Sequence, residues 1–362
     1  VWSYWICDSF TGQKMERVFP LPGGQLRTVA NGAGSGRHSF SLRDPETALP
    51  RSRWRQITTP WAYVLVACWN DVPLYAAFIM TARASKRDGI LTITHNELRV
   101  IMRGRYQYNI YTHDQNGAFV VTGRSLPGVA RAVIQRGLRN DPPGDWNLPV
   151  VLPADEAGGE SRTWYAYRFE STEQMLAEIQ DADGGPDIHF RPRWSAAGRL
   201  EWEARIGAPR LSGPTLELNA AAEDGGVFDL SETRDGTNQI TGIWTQGEGS
   251  EVDMRIGRAG DTDGYTGTRI PNIDLPRPAK SLSDQRVLDS TARAHWRADR
   301  EATQQFGIST LASTALAAGV VIGSTVRAWV QDDEYLEDGW KQGYLIGISA
   351  VAGDDEITLE IQ

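Results

Sequence analysis

Val29-Ala30-Asn31-Gly32-Ala33-Gly34-Ser35-Gly36-Arg37-His38-Ser39-Phe40-Ser41-Leu42-Arg43 is the stretch whose reading decides the fold. Its glycines look like a phosphate cradle, which would mark a nucleotide-binding α/β domain. That chemistry needs a helix N-terminus directly downstream, with free N–H groups facing the anion. No Gly-Lys-Ser/Thr follows here. Instead His38, Phe40 and Leu42 alternate with Ser39, Ser41 and Arg43, the pattern of a half-buried strand that ends at Asp44-Pro45. The glycines are read as a sharp turn in a β wall.

The same character extends outward on both sides. Trp2, Tyr4 and Ile6 alternate against Trp5 and Cys7, and Thr11-Gly12 supplies a turn. Trp61–Trp69 and Leu74–Thr81 are continuous apolar runs joined by Asn70-Asp71-Val72-Pro73, a hairpin with both strands largely buried. Asp88-Gly89 turns the chain into Ile90–Thr94, and a short helix is expected next, with Asn96 as N-cap ahead of Leu98, Ile101 and Met102. The pattern predicts a first β domain over residues 1–110.

Residues 111–206 read as an inserted α/β domain. Ser125-Leu126-Pro127 opens a helix whose Val129, Val133 and Ile134 share a face, closing near Gly137, and Ser171-Thr172-Glu173-Gln174 is a capping box. A hairpin follows over Ile188–Trp194 and Leu200–Ile206. Residues 207–280 form a second β domain with turns at Asp224-Gly225-Gly226, Asp235-Gly236 and Gly247-Glu248-Gly249. Residues 281–362 hold a helix over Asp284–Gln305 and then strands at Val326–Trp329, Tyr344–Ile348 and Ile357–Ile361. No internal repeat stands out.

Composition narrows the class. At 362 residues, with 40% hydrophobic content, 13 Trp, 37 Gly and 18 Pro, the chain folds into several turn-rich, β-rich domains. Cys7 and Cys68 lie in separate apolar strands and give neither a metal signature nor a disulfide framework, which fits reduced core thiols made in a cytoplasm. Val1-Trp2-Ser3-Tyr4 runs straight into patterned sequence, so no secretion signal is expected. The longest apolar run, Leu311–Val321, falls short of the ~20 residues of a membrane span, so no stable membrane association is expected. Only four basic residues are lysines (Lys14, Lys86, Lys280, Lys341), a bias that GC-rich coding produces. Residues 1–140 carry 18 Lys/Arg against 8 Asp/Glu, although the whole chain has a net charge of −9. The basic residues are scattered over several elements with no nucleic-acid motif, so contact between basic and acidic parts of the protein is the expected use.

No residue nominates itself for chemistry. Asp181–Asp187 and Asp261-Thr262-Asp263-Gly264 bring carboxylates together, but neither continues to the bidentate glutamate of a calcium loop. His38, His95, His113, His189 and His295 fall in five elements, none at a zinc spacing, and no Gly-x-Ser-x-Gly elbow is present. No catalytic, cofactor-binding or metal residue is assigned. Two alternatives stay open: a cell-wall hydrolase assembled from Glu201, Glu203, Asp261 and Asp263, and a carbohydrate- or receptor-binding tip using Trp146, Trp164 and Trp340.

Taken in order, several segments resemble the tail hub or minor tail (tail-tip) proteins of long-tailed phages, related to contractile-tail baseplate hubs and tail-associated lysins. They are Trp5-Ile6-Cys7-Asp8-Ser9-Phe10-Thr11-Gly12, Val29–Gly36 with the strand to Pro45, the hairpin Val64–Met80, Arg191-Pro192-Arg193-Trp194, and Gly339–Ile361 with Gly343-Tyr344-Leu345-Ile346-Gly347-Ile348. The resemblance implies a mainly β fold with α+β insertions: two tail-tube-like β-barrel domains plus smaller α/β domains. It implies a structural, non-enzymatic virion protein, assembled in the bacterial host cytoplasm. As a homotrimer it would form a ring at the distal end of the tail tube. Its implied partners are the distal tail protein and tail tube, the tape-measure protein, and other tail-tip or fibre proteins, with genomic DNA passing through unbound. The acidic surplus after residue 140 would suit a DNA-repelling lumen, and the arginine bias a GC-rich, actinobacterial host. The chain ends just after its last expected strand, so no appended wall-degrading domain is expected.

Overall fold

The computed structural model describes residues 1–108, 113–139, 147–182, 184–222, 225–260, 270–279 and 282–362. Strands β1 (Trp2–Asp8), β2 (Lys14–Val18), β3 (Gln25–Val29) and β4 (Ser35–Ser41) precede helix α1 (Arg51–Ile57). Then come β5 (Tyr63–Trp69), β6 (Val72–Ser85), β7 (Ile90–Glu97) and a 3₁₀ turn over Leu98–Gly104. The middle of the chain holds β8 (Ala118–Arg124), α2 (Leu126–Arg139), β9 (Val150–Val151), β10 (Ala157–Tyr165), α3 (Thr172–Gln180), β11 (Asp187–Trp194) and β12 (Leu200–Gly207). Strands β13 (Thr215–Asn219), β14 (Val227–Asp235), β15 (Gly242–Gln246), β16 (Ile256–Gly260) and β17 (Asp274–Pro278) lead to α4 (Gln285–Asp299). The chain finishes with β18 (Thr303–Leu311), α5 (Ala312–Ala317), β19 (Thr325–Val330), β20 (Gly339–Val351) and β21 (Glu356–Ile361). The chain is mainly β with α+β insertions, as its sequence implies.

Thirteen strands form one sheet. Its main path runs β14-β18-β21-β20-β3-β4-β7-β6-β5-β1-β2, and β19, carrying β13, joins through β20. Two barrels were expected here, and the described residues correct that picture: the path is open, and neither half closes on itself. Strand β20 is the cause. Gly339–Tyr344 pair with β19, Leu345–Ala350 with β21, and Gly347–Val351 with β3. One long strand therefore belongs to both halves and fuses them into a continuous sheet.

The apolar runs of β5 and β6 reflect burial on both faces. Tyr4, Ile6, Leu65, Ala67, Ala77 and Ile79 enter a core shared with the C-terminal strands. Their neighbours Cys7, Val64, Val66, Cys68, Ala76 and Phe78 enter a second core under the inserted α/β unit. Successive side chains of a strand point to opposite faces, so one hairpin serves both cores. Its turn is the two-residue type that suits strand twist: Asn70 and Asp71 have φ of 45° and 64°.

The inserted unit follows its sequence signals. Ser171 caps α3 as a full capping box, with its side chain accepting from Gln174 N–H and the Gln174 side chain accepting from the Ser171 N–H. Val129, Val133 and Ile134 of α2 are buried in the second core. Trp202 on β12 stacks on Phe78 of β6, centroids 5.9 Å apart at 9°. Farther along, β15, β16 and β17 form a small sheet under α4, with Ile240, Ile243 and Ala292 between them.

Three local expectations are corrected. Asn96 caps no helix: it remains in β7, paired with Ser35 and Phe78, and Glu97 is the residue that precedes the 3₁₀ turn. Helix α4 ends at Asp299, because Gln304 and Gln305 pair with Arg234 and Thr233 of β14. Tertiary pairing overrides helical propensity there. Helix α1, which opens after Pro50 and buries Trp54 and Ile57, falls where no helix was expected.

Trp202 is 1% exposed and ties the inserted unit to the sheet. Trp202→Ala is expected to cost about 3–5 kcal/mol of unfolding free energy in urea titration. A loss below about 1 kcal/mol would show that the stack does not hold the unit.

Candidate functional site

The glycine turn cradles no anion. It is the point where three parts of the chain meet. Asn31 sits in the left-handed region, φ 57°, which asparagine adopts more readily than most residues. Its Oδ1 accepts from Ile188 N–H (2.8 Å) and Gln180 Nε2 (2.5 Å), and its Nδ2 donates to Asp187 Oδ1 (2.6 Å). The Asn31 N–H also donates to Ile188 O at 2.9 Å. One side chain thus docks both α3 and β11 of the inserted unit.

Three residues on, Gly34 N–H donates to Glu97 Oε2 at 2.9 Å, and Glu97 N–H donates back to Gly34 O at 2.8 Å. A Cβ at position 34 would lie 2.0 Å from Arg27 O and 2.4 Å from Glu97 Oε2. Only glycine permits this approach. At Gly36 the obstruction would be Gln25 O and the His95 ring, both at 2.4 Å.

Below the turn lies a buried polar chain. Tyr75 OH meets His95 Nδ1 at 2.8 Å, and His95 Nε2 meets His38 Nδ1 at 2.8 Å. Thr28 Oγ1 meets His189 Nε2 at 3.1 Å. Burial holds His38 down to about 4 and His189 to about 3. His95 is also held well below the usual range, by burial and by His38 beside it. Burial pushes the Glu97 carboxyl up to about 7, against the pull of donors at Thr28, Gly34 and Val29 and of the Arg27 charge. At neutral pH the histidines are uncharged members of the core.

The basic and acidic parts do meet, as expected. Arg27 on β3 donates from Nε to Glu360 Oε1 on β21 at 2.7 Å, and Ser349 of β20 supports the same carboxylate at 2.9 Å. Burial of the Arg99 guanidinium is matched by Glu173 at 3.0 Å and Gln180 at 2.5 Å. Lys14 lies over Trp5 (4.7 Å) and Trp194 (3.9 Å), joining β2 to the inserted hairpin.

The residues of the alternative readings are not gathered into a cleft. Glu201 and Glu203 share one face of β12, and Arg193 pairs with both, at 2.7 and 3.9 Å. Asp261, Asp263 and Trp146 lie outside the described residues, as do Asp183 and Asp224. Trp164 is 2% exposed, with Nε1 donating to Glu178, whereas Trp340 is 44% exposed beside Trp329 and under Arg327. Cys7 and Cys68 are free and buried, and burial raises both thiols to about 12, so neither is a thiolate nucleophile at neutral pH. Among the described residues no three His, Cys, Asp or Glu side chains are grouped to hold a metal ion. No described helix is long and apolar enough to cross a membrane.

The His38–His95 contact had no local signal in the sequence, where 57 residues separate the two. It follows only once β4 is laid on β7 with Gly36 opposite His95 and His38 opposite Ile93.

No family model matches this sequence, and no curated protein matches it. Solved structures do. The 43 kDa tail protein of prophage MuSo2 from Shewanella oneidensis superposes with a TM-score of 0.59 at 9% identity, covering 99% of this chain and 98% of that one. A tail protein from Neisseria meningitidis MC58 gives 0.56 at 12% identity, over 99% and 96%. Prophage tail protein gp18 from Listeria monocytogenes EGD-e gives 0.50 at 8% identity, over 99% and 94%. The chain has the fold of phage tail proteins, along essentially its whole length.

Three outcomes follow for the site. Each buried histidine takes up a proton more readily when unfolded, so its contribution to stability is intact above pH 6.5 and is lost as pH falls toward 4 for His38 and 3 for His189. Glu97 acts in the opposite sense: its contribution is present below pH 4.5 and is lost as pH rises through 7. Glu97→Gln is therefore expected to stabilise the fold at pH 8 relative to its effect at pH 5, by about 1–3 kcal/mol in denaturant titration. Equal effects at the two pH values would show that the carboxyl is unperturbed. Gly34→Ala should cost about 3 kcal/mol or more, because its Cβ meets fixed backbone.

Proposed function

We propose that this protein is a structural component of a phage virion: a homotrimeric hub at the distal end of the tail tube. There it continues or closes the DNA channel and anchors tail-tip and host-attachment proteins. The observation that carries this reading is the chain-length likeness to tail proteins, over 99% of this chain and 98% of the first of them. The open sheet adds support. Among the described residues its outer strands β2 and β14 each pair on one side only, and such edges are where neighbouring subunits of a ring can join.

On this reading the division into residues 1–110, 111–206, 207–280 and 281–362 gives two tube-like parts and two smaller ones. The distal tail protein and tube, the tape-measure protein and tip or fibre proteins are its neighbours. Genomic DNA passes through without specific binding, repelled by the acidic surplus of residues beyond 140. The protein assembles in the host cytoplasm and works in the virion. It performs no catalysis, in keeping with Glu201 and Glu203 being held by Arg193 on one strand.

Sedimentation of the purified chain, followed by negative-stain imaging, tests the proposal. A three-subunit ring with a central channel is the expected result, and a monomer at all concentrations would overturn it. Incubation with peptidoglycan from a GC-rich host should release no soluble fragments. Release that disappears in a Glu201→Gln, Glu203→Gln variant would favour the hydrolase instead.

A further inference from the structure

A cavity of about 380 Å³ lies where the two halves of the sheet meet the inserted unit. Trp69 and Leu74 of the β5–β6 hairpin form part of its wall, Leu316 of α5 and the following Val320 and Ile322 another, and Ile348 of β20 a third. Its volume is at the lower end of the range for small-molecule sites, and like them it is mostly apolar with a few polar groups gathered together.

Those polar groups are Thr28, His189 and Arg191. His189 and Arg191 are two apart on β11 and so share a face. His189 is 6% exposed; Thr28 occupies its Nε2, and its Nδ1 has no partner. Arg191 is half-buried and close enough for its charge to act on His189, and its guanidinium has no hydrogen-bond or ion-pair partner among the described residues. A guanidinium at the edge of apolar walls suits a ligand with an anionic head and an apolar tail.

The geometry points to a binding site for a small aliphatic carboxylate, its carboxyl group on the Arg191 guanidinium and its chain against Trp69, Leu316, Val320 and Ile322. An aliphatic chain fits better than a peptide. Beyond Thr28, His189 and Arg191, the polar side chains on the wall are Asn70 and Ser313, and Asn70 Oδ1 already accepts from Val1 N at 2.7 Å. A peptide backbone would have too few partners for its own N–H and C=O groups.

Calorimetric titration of the full chain with decanoate, decanol and decyltrimethylammonium, all below their micelle concentrations, tests this. Decanoate should bind at one site per chain, decanol at least tenfold more weakly, and the cation not measurably. Arg191→Met should reduce decanoate affinity about tenfold, to that of decanol, and leave decanol unchanged. Ala317→Trp, at an exposed rim position, should block both. Circular dichroism melting checks that each variant is folded. Equal binding of decanoate and decanol by the unmodified protein would reduce the site to an apolar void, and no binding of decanoate would overturn it altogether.

Discussion

The pairing of β20 with β3 is the constraint on which the rest of the molecule depends. Five residues of each strand form the only rungs that join the N-terminal half of the great sheet to the C-terminal half among the described residues. Because Gly347–Ala350 also pair with β21, the ladder is central and not marginal, and its backbone groups are satisfied on both sides. The Arg27–Glu360 pair closes over it from the two neighbouring strands. With the seam in place, side chains from both halves fill one core, and the barrels that a tube-like sequence suggests become arms of a single open surface.

The inserted unit depends on the same region. Asn31 follows β3 by two residues and holds α3 and β11 through four hydrogen bonds. Thr28, within β3, reaches His189 of β11, and Glu97 is held by Gly34. The turn that separates β3 from β4 is therefore a junction, and Gly34 is there because backbone and carboxylate approach too closely for a side chain. Its buried ionisable groups have opposing pH responses, so acidification weakens the histidine core while protonation relieves the buried carboxylate.

Much of the fold was legible in the sequence. Alternation disclosed β1 and β4, continuous apolar runs disclosed the doubly buried β5–β6 hairpin, and the capping box placed α3 to the residue. Those signals are local, as is the physics behind them. The merging of two halves is not local: it depends on β20 being long enough to change partners at Tyr344–Leu345, and no pattern within the strand marks that change. The polar junction was hidden for the same reason. Thr28, His38, His95, Glu97 and His189 are unremarkable where they stand, and acquire partners only through register. Arg193 between Glu201 and Glu203 could have been anticipated, since β11 and β12 were recognised as a hairpin and Arg193 falls opposite Glu201.

The seam also sets the order in which the protein can be made. More than 300 residues separate Val29 from its partner Gly347. At about 5–20 residues per second, a ribosome needs roughly 15–60 s to deliver β20 after β3 has emerged. Throughout that interval β3 can pair with β4 on one side only, and its other edge is open to nascent chains on neighbouring ribosomes. Arg27, mid-strand and half-exposed even in the finished fold, places a charge on that waiting edge. The side chain that finally clamps the last strand is thus also suited to keep the first half single until that strand arrives.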